Sequence, residues 1–312
     1  MFSIIIPVYN EENSLVELVD RINNITKSVK KEFEIIFIND GSSDKSQETI
    51  EALSDKYDNI RFVVFRKNFG KSAALNAGFK YAKYNIVFTM DADLQDDPIE
   101  IPKFLEEIKN GYDLVIGWKE NRLDSKGKTI PSKVFNTITS KMSGLKLNDY
   151  NCGFKCYTKK VTEEITLYGE LHRFIPFLAY KKGFKVKEIP VLHHKRKHGV
   201  SKFGQERYAR GFFDLLTVVF ITSYANRPMH LFGGIGSIFF GIGLLIFGYL
   251  FFGRWIFSES IGTSPLFFIS IFLVGMGIQL FVLGMIAELI VYNKEREKKK
   301  NQRDTDMETY TR

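Results

Sequence analysis

Along the first 120 residues, short apolar runs alternate with segments whose apolar residues recur at helical spacing. "FSIIIPVY", "FEIIFIND", "IRFVVFR", "NIVFTMD" and "YDLVIGW" read as strands. Between the first two, "NSLVELVDRINNITKSVKK" puts Leu15, Leu18, Val19, Ile22 and Ile25 on one helical face. "DKSQETIEALSDKY", capped by Ser43 or Asp44, and "GKSAALNAGFKYAK" are the next helices. "PIEIPKFLEEIKN" is the fourth, opened by Pro98, which a first helical turn tolerates. Strands alternating with helices predict an α/β fold with a mostly parallel, doubly wound sheet. In such sheets ligands bind beyond the carboxyl ends of the strands. The polar clusters "PVYNEE", "NDGSSD", "RKNFGKS" and "DADLQDDP" all stand at such ends.

Further on, "KENRLDSKGKTIP" reads as a loop, "SKVFNTITSKMSG" as a helix and "LNDYNCGFKCY" as a turn into a short strand. "LHRFIPFLAYKKG" reads as a helix, "FKVKEIPVLHH" as extended, and "KRKHGVSKFGQERY" as a basic loop. "RGFFDLLTVVFITSY" has the character of a helix lying on a membrane surface. The pattern then changes. Leu231 to Phe252 carries no charged residue, and Pro265 to Tyr292 carries one acid, Glu288. A helix needs about 20 apolar residues to cross a bilayer, and both runs suffice. Their glycines suit close helix contact in lipid without forming a clean pairing motif. The expected organisation is an α/β domain over 1–205, interfacial helices over 206–228, a transmembrane hairpin over 229–292 and a charged tail over 293–312. Arg227 before the first span and "NKEREKKK" after the second predict that both termini and the large domain are cytoplasmic. The start, "MFSIIIPVYNEE", lacks a basic region and a cleavage site, and reads as a strand rather than a signal peptide.

Charge sharpens the picture. The chain carries a formal net charge of +8, yet "MDADLQDDP" holds Asp91, Asp93, Asp96 and Asp97. Residues i and i+2 at a strand end point the same way, so Asp91 and Asp93 are expected to face one point, with Gln95 adding an oxygen. Oxygen ligands select hard cations such as Mg²⁺ or Mn²⁺, which would clamp a diphosphate. Asp96 and Asp97 are expected to start the next helix. Tyr9 offers a stacking surface for a base, Glu11 an acceptor for a ribose hydroxyl or base N–H, and Asp40 an acceptor for a ring N–H. Glu11, Glu12, Asn13 and Asp44 equally suit helix N-termini. The dinucleotide fingerprint is absent, and "NFGKS" lacks the first glycine of a phosphate-binding loop. "HHKRKHGVSK" gathers Lys195, Arg196, Lys197, Ser201 and Lys202 around Gly199, a set suited to phosphate or to anionic lipid. Four cations around His193, His194 and His198 argue against a histidine metal site. Cys152 and Cys156 are too few for a disulfide framework and are expected to be free structural thiols.

In this order and spacing, "SIIIPVYNEE", "INDGSSD", "NFGKSAALNAGF" and "DADLQDDP" resemble the GT-A family 2 glycosyltransferases. "YGELHRFIP", "HGVSKFG" and the two spans resemble the polyprenyl-phosphate branch, which includes dolichyl-phosphate mannosyltransferases and bactoprenol glucosyltransferases. The resemblance covers nearly the whole chain. It implies a GT-A sheet followed by two membrane helices. It implies nucleotide-sugar contacts from Pro7, Tyr9, Glu11, Asp40, Asp91 and Ala92, and Mg²⁺ or Mn²⁺ on Asp93 and Gln95. Arg196, Ser201 and Lys202 resemble an R-x-x-G-x-S-K segment that meets the acceptor phosphate, and Arg122 joins them. Asp149 resembles the aspartate of a D-x-x-x-G-F-R region, although Lys155 stands where arginine is common. With Asp91 it is the catalytic candidate, positioning acceptor or sugar, and a turn cap is its bland alternative. A lipid phosphate is already anionic near neutral pH, so a strong base is unnecessary.

The activity implied is inverting transfer of a hexose from a UDP- or GDP-sugar to undecaprenyl or dolichyl phosphate at the membrane. The rivals are a processive polysaccharide synthase, whose Q-x-x-R-W motif is absent, and a scaffold, which needs neither charged cluster. A homo-oligomer is left open, and nucleic acid is not an expected partner.

Overall fold

A computed structural model describes residues 1–29, 31–119, 136–194, 197, 207–225, 227–257 and 264–310. The chain divides into two compact units, Met1–Val218 and Val219–Arg312.

The first unit is built on a seven-stranded sheet in the order β3-β2-β1-β4-β6-β5-β7. Its strands are β1 (Phe2–Val8), β2 (Phe33–Asn39), β3 (Ile60–Val64), β4 (Ile86–Thr89), β5 (Leu114–Trp118), β6 (Lys155–Thr158) and β7 (Val186–Pro190). The helices between them are α1 (Leu15–Val29), α2 (Ser46–Lys56), α3 (Lys71–Tyr81), α4 (Ile101–Lys109), α5 (described over 136–143), α6 (Lys159–Glu164) and α7 (Ile175–Lys181). Phe2, Ile4, Ile5, Ile6 and Val8 of β1 are fully buried, as a central strand covered on both faces requires. Leu15, Leu18, Val19 and Ile22 are fully buried too, so the apolar stripe of α1 is its core face.

One strand departs from the parallel pattern. β6 runs antiparallel to both neighbours, pairing Thr89 of β4 and Ile116 of β5 with Lys155. An antiparallel strand starts where its parallel neighbours end. The residues leading into β6, from Asp149 on, therefore arrive at the carboxyl ends of β4 and β5. The six-residue α6 was not anticipated, because it is too short to show a helical period.

The second unit contains α9 (Pro228–Phe257) and α10 (Pro265–Tyr310), preceded along the chain by α8 (Arg207–Val219). Pro228–Gly253 and Pro265–Lys294 are long and apolar enough to span a membrane and are only 11% buried within the protein. That exposure excludes a buried core hairpin and leaves lipid as the medium that suits them. The helices meet through glycines: a Cβ on Gly236 would lie 2.9 Å from the Gly277 carbonyl oxygen, and one on Gly277 2.8 Å from that of Gly236. Small residues of this kind let two backbones approach in lipid. Glu288 accepts a hydrogen bond from the Met229 N–H at 3.2 Å, so the one acid of the second apolar run caps the start of α9.

Gly78 of α3 lies against Ile5, whose side chain occupies the space a methyl group would need. Alanine is the better helix former by about 1 kcal/mol. Overpacking costs about 1–3 kcal/mol, and here it dominates. Gly78→Ala is therefore expected to lower the thermal unfolding temperature of the detergent-solubilised protein, and a rise would contradict this packing.

Candidate active site

The site begins with loops at the carboxyl ends of β1 and β2 that hold one another. Asn10 takes a left-handed backbone, φ 55°. Its N–H donates to Ser42 Oγ at 3.0 Å, and its side-chain oxygen accepts from the Ser43 N–H at 2.7 Å. The Glu12 carboxylate accepts from the Lys45 N–H at 2.7 Å, and Asp44 accepts from the Glu12 N–H at 3.2 Å. Glu12 and Asp44 thus join the two loops. Lys45 rather than Ser43 or Asp44 precedes α2 as its cap residue, without a side-chain cap bond. Tyr9 is exposed at 38%, Pro7 is half-buried, and the Glu11 N–H donates to Ser46 Oγ at 2.9 Å.

Asp40, buried at the end of β2, organises the next loop. Its two carboxylate oxygens accept from the Phe69 N–H at 2.7 Å and the Gly70 N–H at 2.9 Å. Burial raises its pKa, and these two donors only partly counter that. Gly41, at φ 69°, lies against the backbone of Lys67 and Asn68 where a side chain would collide. The loop so fixed delivers Lys71 to the start of α3, where its ammonium pairs with Asp91.

The acidic turn differs from the expectation. β4 ends at Thr89, two residues before Asp91, so strand alternation does not extend to Asp93. A turn with Leu94 at φ 60° sets the side chains instead. Ala92 and Asp93 are buried, and Asp93 Oδ1 accepts from the Gln95 N–H at 3.2 Å. Gln95 Oε1 is the expected ligand atom, and its Nε2 donates to the His194 carbonyl at 3.4 Å. Asp96 does not start the helix: it is 1% exposed, bridges His193 through its backbone and sits 3.5 Å from the Lys119 ammonium. Asp97 does, accepting from the Ile99 N–H at 3.0 Å, and it also meets His194 Nε2 at 2.7 Å.

Around Asp91 the charges interleave. Burial alone would raise its pKa, but Lys71 foremost, then Lys119 and Lys155, hold it down at about 2. Gly153 is the residue that admits this carboxylate, because a Cβ there would collide with it. Lys119, just past β5, loses stability as a cation through burial, yet Asp96, Cys152, Asp91 and Asp149 raise its pKa above the ordinary value. Lys155 donates to the Cys152 carbonyl oxygen and is 4% exposed. Burial lowers its pKa from 10.5 to about 8 against the pull of Asp91 and Asp149. Asp149, 1% exposed, has its N–H held by Glu188 at 2.8 Å, and its own Oδ1 accepts from the Asn151 N–H at 3.1 Å. His172 is buried, with its N–H donating to Ser72 Oγ at 3.1 Å. Burial, with Lys71 and Arg173 near it, depresses its pKa well below 6.5, so it is neutral at physiological pH. Glu170 and Arg173 pair with each other at 2.7 Å.

Asp91, Asp149 and the turn 91–95 thus meet at one place, which also holds Lys71, Lys119, Lys155 and His172. None of these four was assigned a role from the sequence, although "RKNFGKS" places Lys71 at a strand end and Lys155 stands where arginine is common. The rule that placed the acidic turn could have found Lys119, which directly follows β5. Arg122, Arg196, Ser201 and Lys202 lie outside the described residues. The two cysteines are buried and free.

Among the described residues no group of three or more His, Cys, Asp or Glu converges as a ready metal cage. Asp91, Asp93 and Gln95 still supply hard oxygens within one turn. That fits a cation of the Mg²⁺ kind, which takes one or two carboxylates and completes its shell with water and substrate phosphate.

The fold and the clustered site define a GT-A-like glycosyltransferase. The family model for glycosyl transferase family 2 matches residues 3–166. The chain is 36% identical over 302 residues, 95% of its length and 89% of the relative's, to dodecaprenyl-phosphate galacturonate synthase of Rhizobium johnstonii. It is 34% identical to undecaprenyl-phosphate 4-deoxy-4-formamido-L-arabinose transferase of Pseudomonas fluorescens, over 92% of this chain and 84% of that one. The chain belongs to glycosyl transferase family 2. In fold it is similar to glucosyl-3-phosphoglycerate synthase of Mycobacterium tuberculosis, solved with Mn²⁺ and UDP-glucose, with a TM-score of 0.56 at 15% identity over 70% of this chain and 79% of that one.

Burial of Lys155 couples its ionisation to folding. Between pH 8 and 10.5 the unfolded chain keeps a proton that the folded one releases, so this group makes stability rise with pH across that window. Lys155→Met is expected to flatten the slope of thermal stability against pH there, relative to the unaltered protein. Parallel slopes would contradict a burial that depresses the Lys155 pKa.

Proposed function

We propose that the protein transfers a single sugar from a nucleotide-sugar donor to a polyprenyl phosphate at the cytoplasmic face of a membrane. The observation that carries this is a cluster of Asp91, Asp96 and Asp149 interleaved with Lys71, Lys119 and Lys155, on a chain with two exposed helices of membrane-spanning length. Such a cluster suits an anion that arrives with a cation, and the anchor suits a lipid acceptor. The names of the similar proteins, a galacturonate synthase and an arabinose-derivative transferase, both carry a polyprenyl phosphate. They span different sugars, so the transferred group is put as a sugar rather than as a hexose.

In this reading Tyr9, Glu11 and Asp40, with Pro7 and Ala92 beside them, receive the nucleotide. Asp93 and Gln95, with Asp91 adjacent, would hold Mg²⁺ or Mn²⁺. When bound, such an ion supplies positive charge for the leaving diphosphate. The lipid phosphate has a second pKa near 6 and is largely dianionic at neutral pH, so its oxygen attacks the anomeric carbon without a strong base. The bond to the diphosphate breaks on the opposite face, and the configuration inverts. Lys71 and Lys119 meet phosphate oxygens of the bound substrates. Asp149, fixed by Glu188 and Asn151, orients the sugar or the acceptor. Arg122, Arg196, Ser201 and Lys202 take the acceptor phosphate.

Membranes containing the protein are incubated with labelled UDP- and GDP-sugars and undecaprenyl phosphate. The expected product is a lipid-linked monosaccharide, lost by at least about a hundredfold in a folded Asp93→Ala variant. Long glycan products, or full activity of Asp93→Ala with Mn²⁺ added, would overturn the reading.

A further inference from the structure

Asp96 is the member of the acidic turn with no evident structural reward. Its side chain is 1% exposed, and neither carboxylate oxygen has a hydrogen-bond partner among the described residues. The Lys119 ammonium stands 3.5 Å away, too far for a good hydrogen bond. A buried ion pair completed this poorly does not repay its desolvation, and apolar side chains of the same size would serve the fold better. Asp97, beside it, shows what a structural aspartate does here: it caps a helix and meets His194. Lys119 has three N–H donors, and its remaining carboxylate neighbours are Asp91 and Asp149. Those two residues border the place where the site gathers.

We propose that Asp96 is a positioning residue, which holds the Lys119 ammonium at the end of β5 with its donors turned to a phosphate oxyanion bound between Asp91 and Asp149. This rests on the reading of the cluster as a phosphate site. The oxyanion belongs either to the donor's diphosphate or to the acceptor's phosphate, which offer the same charged oxygens. Asp96 touches neither and acts through Lys119.

The test uses the full-length enzyme in detergent. Transfer is measured with nucleotide sugar varied at saturating undecaprenyl phosphate, then with the roles reversed. Asp96→Asn keeps the shape and removes the charge. The expected result is a KM about tenfold higher for one substrate, the order of a charge-assisted hydrogen bond, with kcat changed less than about twofold. The arm that moves identifies the source of the oxyanion. Lys119→Met is expected to give the same KM shift, and the double variant Asp96→Asn/Lys119→Met no more than Lys119→Met alone. Unchanged KM for both substrates in folded Asp96→Asn would overturn the proposal. So would a double variant whose losses multiply, or one that recovers both KM values, which would make the pair a packing element. If Asp96→Asn does not fold, the double variant, which buries no charge at the pair, carries the same comparison. Failure of the phosphate-site reading is distinguishable, because Asp93→Ala would then retain transfer. Inactive Asp93→Ala with normal Asp96→Asn overturns the positioning role alone.

Discussion

Carboxylates cannot be gathered at the ends of neighbouring strands unless cations come with them. Asp91, Asp96 and Asp149 would otherwise repel one another, and some would take up protons. Lys71, Lys119 and Lys155 prevent that, and each arrives by a different structural route. Asp40 holds the loop that leads into Lys71. β5 ends directly before Lys119, and the antiparallel β6 begins with Lys155. With Asp93 in the same turn, the site sets four carboxylates against three lysines, so its own charges nearly balance. A cation and a diphosphate that enter together then disturb that balance little, whereas either alone meets groups of its own sign.

The same balance explains why the acidic turn does not form a cage. A chain that supplied every ligand to the ion would hold it without the donor. Here Asp91 already has Lys71 as its partner, and the described residues provide no converging group of three His, Cys, Asp or Glu. The remaining positions suit water and the donor's phosphates. The membrane helices add the second constraint. Their exposed apolar faces and glycine contact suit a lipid environment, which is where a polyprenyl acceptor resides.

Much of this was legible in the chain. The first five strands stood out because continuous apolar runs contrast with the helical spacing of segments such as 13–31, and the ends of those strands located the acidic turn. The direction of β6 was not legible, since a four-residue strand after an irregular turn carries no signal of orientation. The charge partners of the lysines escaped the sequence for a related reason. Lys71 sits 20 residues from Asp91, and pairing of this kind appears only once the sheet is assembled. Asp96 was read with Asp97 as a helix starter because both stand just before Pro98, and burial separated the two. The turn at 91–95 owes its geometry to a left-handed Leu94, which its sequence does not announce.

The central claim is that the site is completed by its ligand. The most direct measurement is Mn²⁺ binding to the purified protein, followed by electron paramagnetic resonance, with and without nucleoside diphosphate. Weak Mn²⁺ binding alone and at least about tenfold tighter binding with the diphosphate present is the expected result. Tight Mn²⁺ binding without nucleotide, or affinity indifferent to it, would contradict the account.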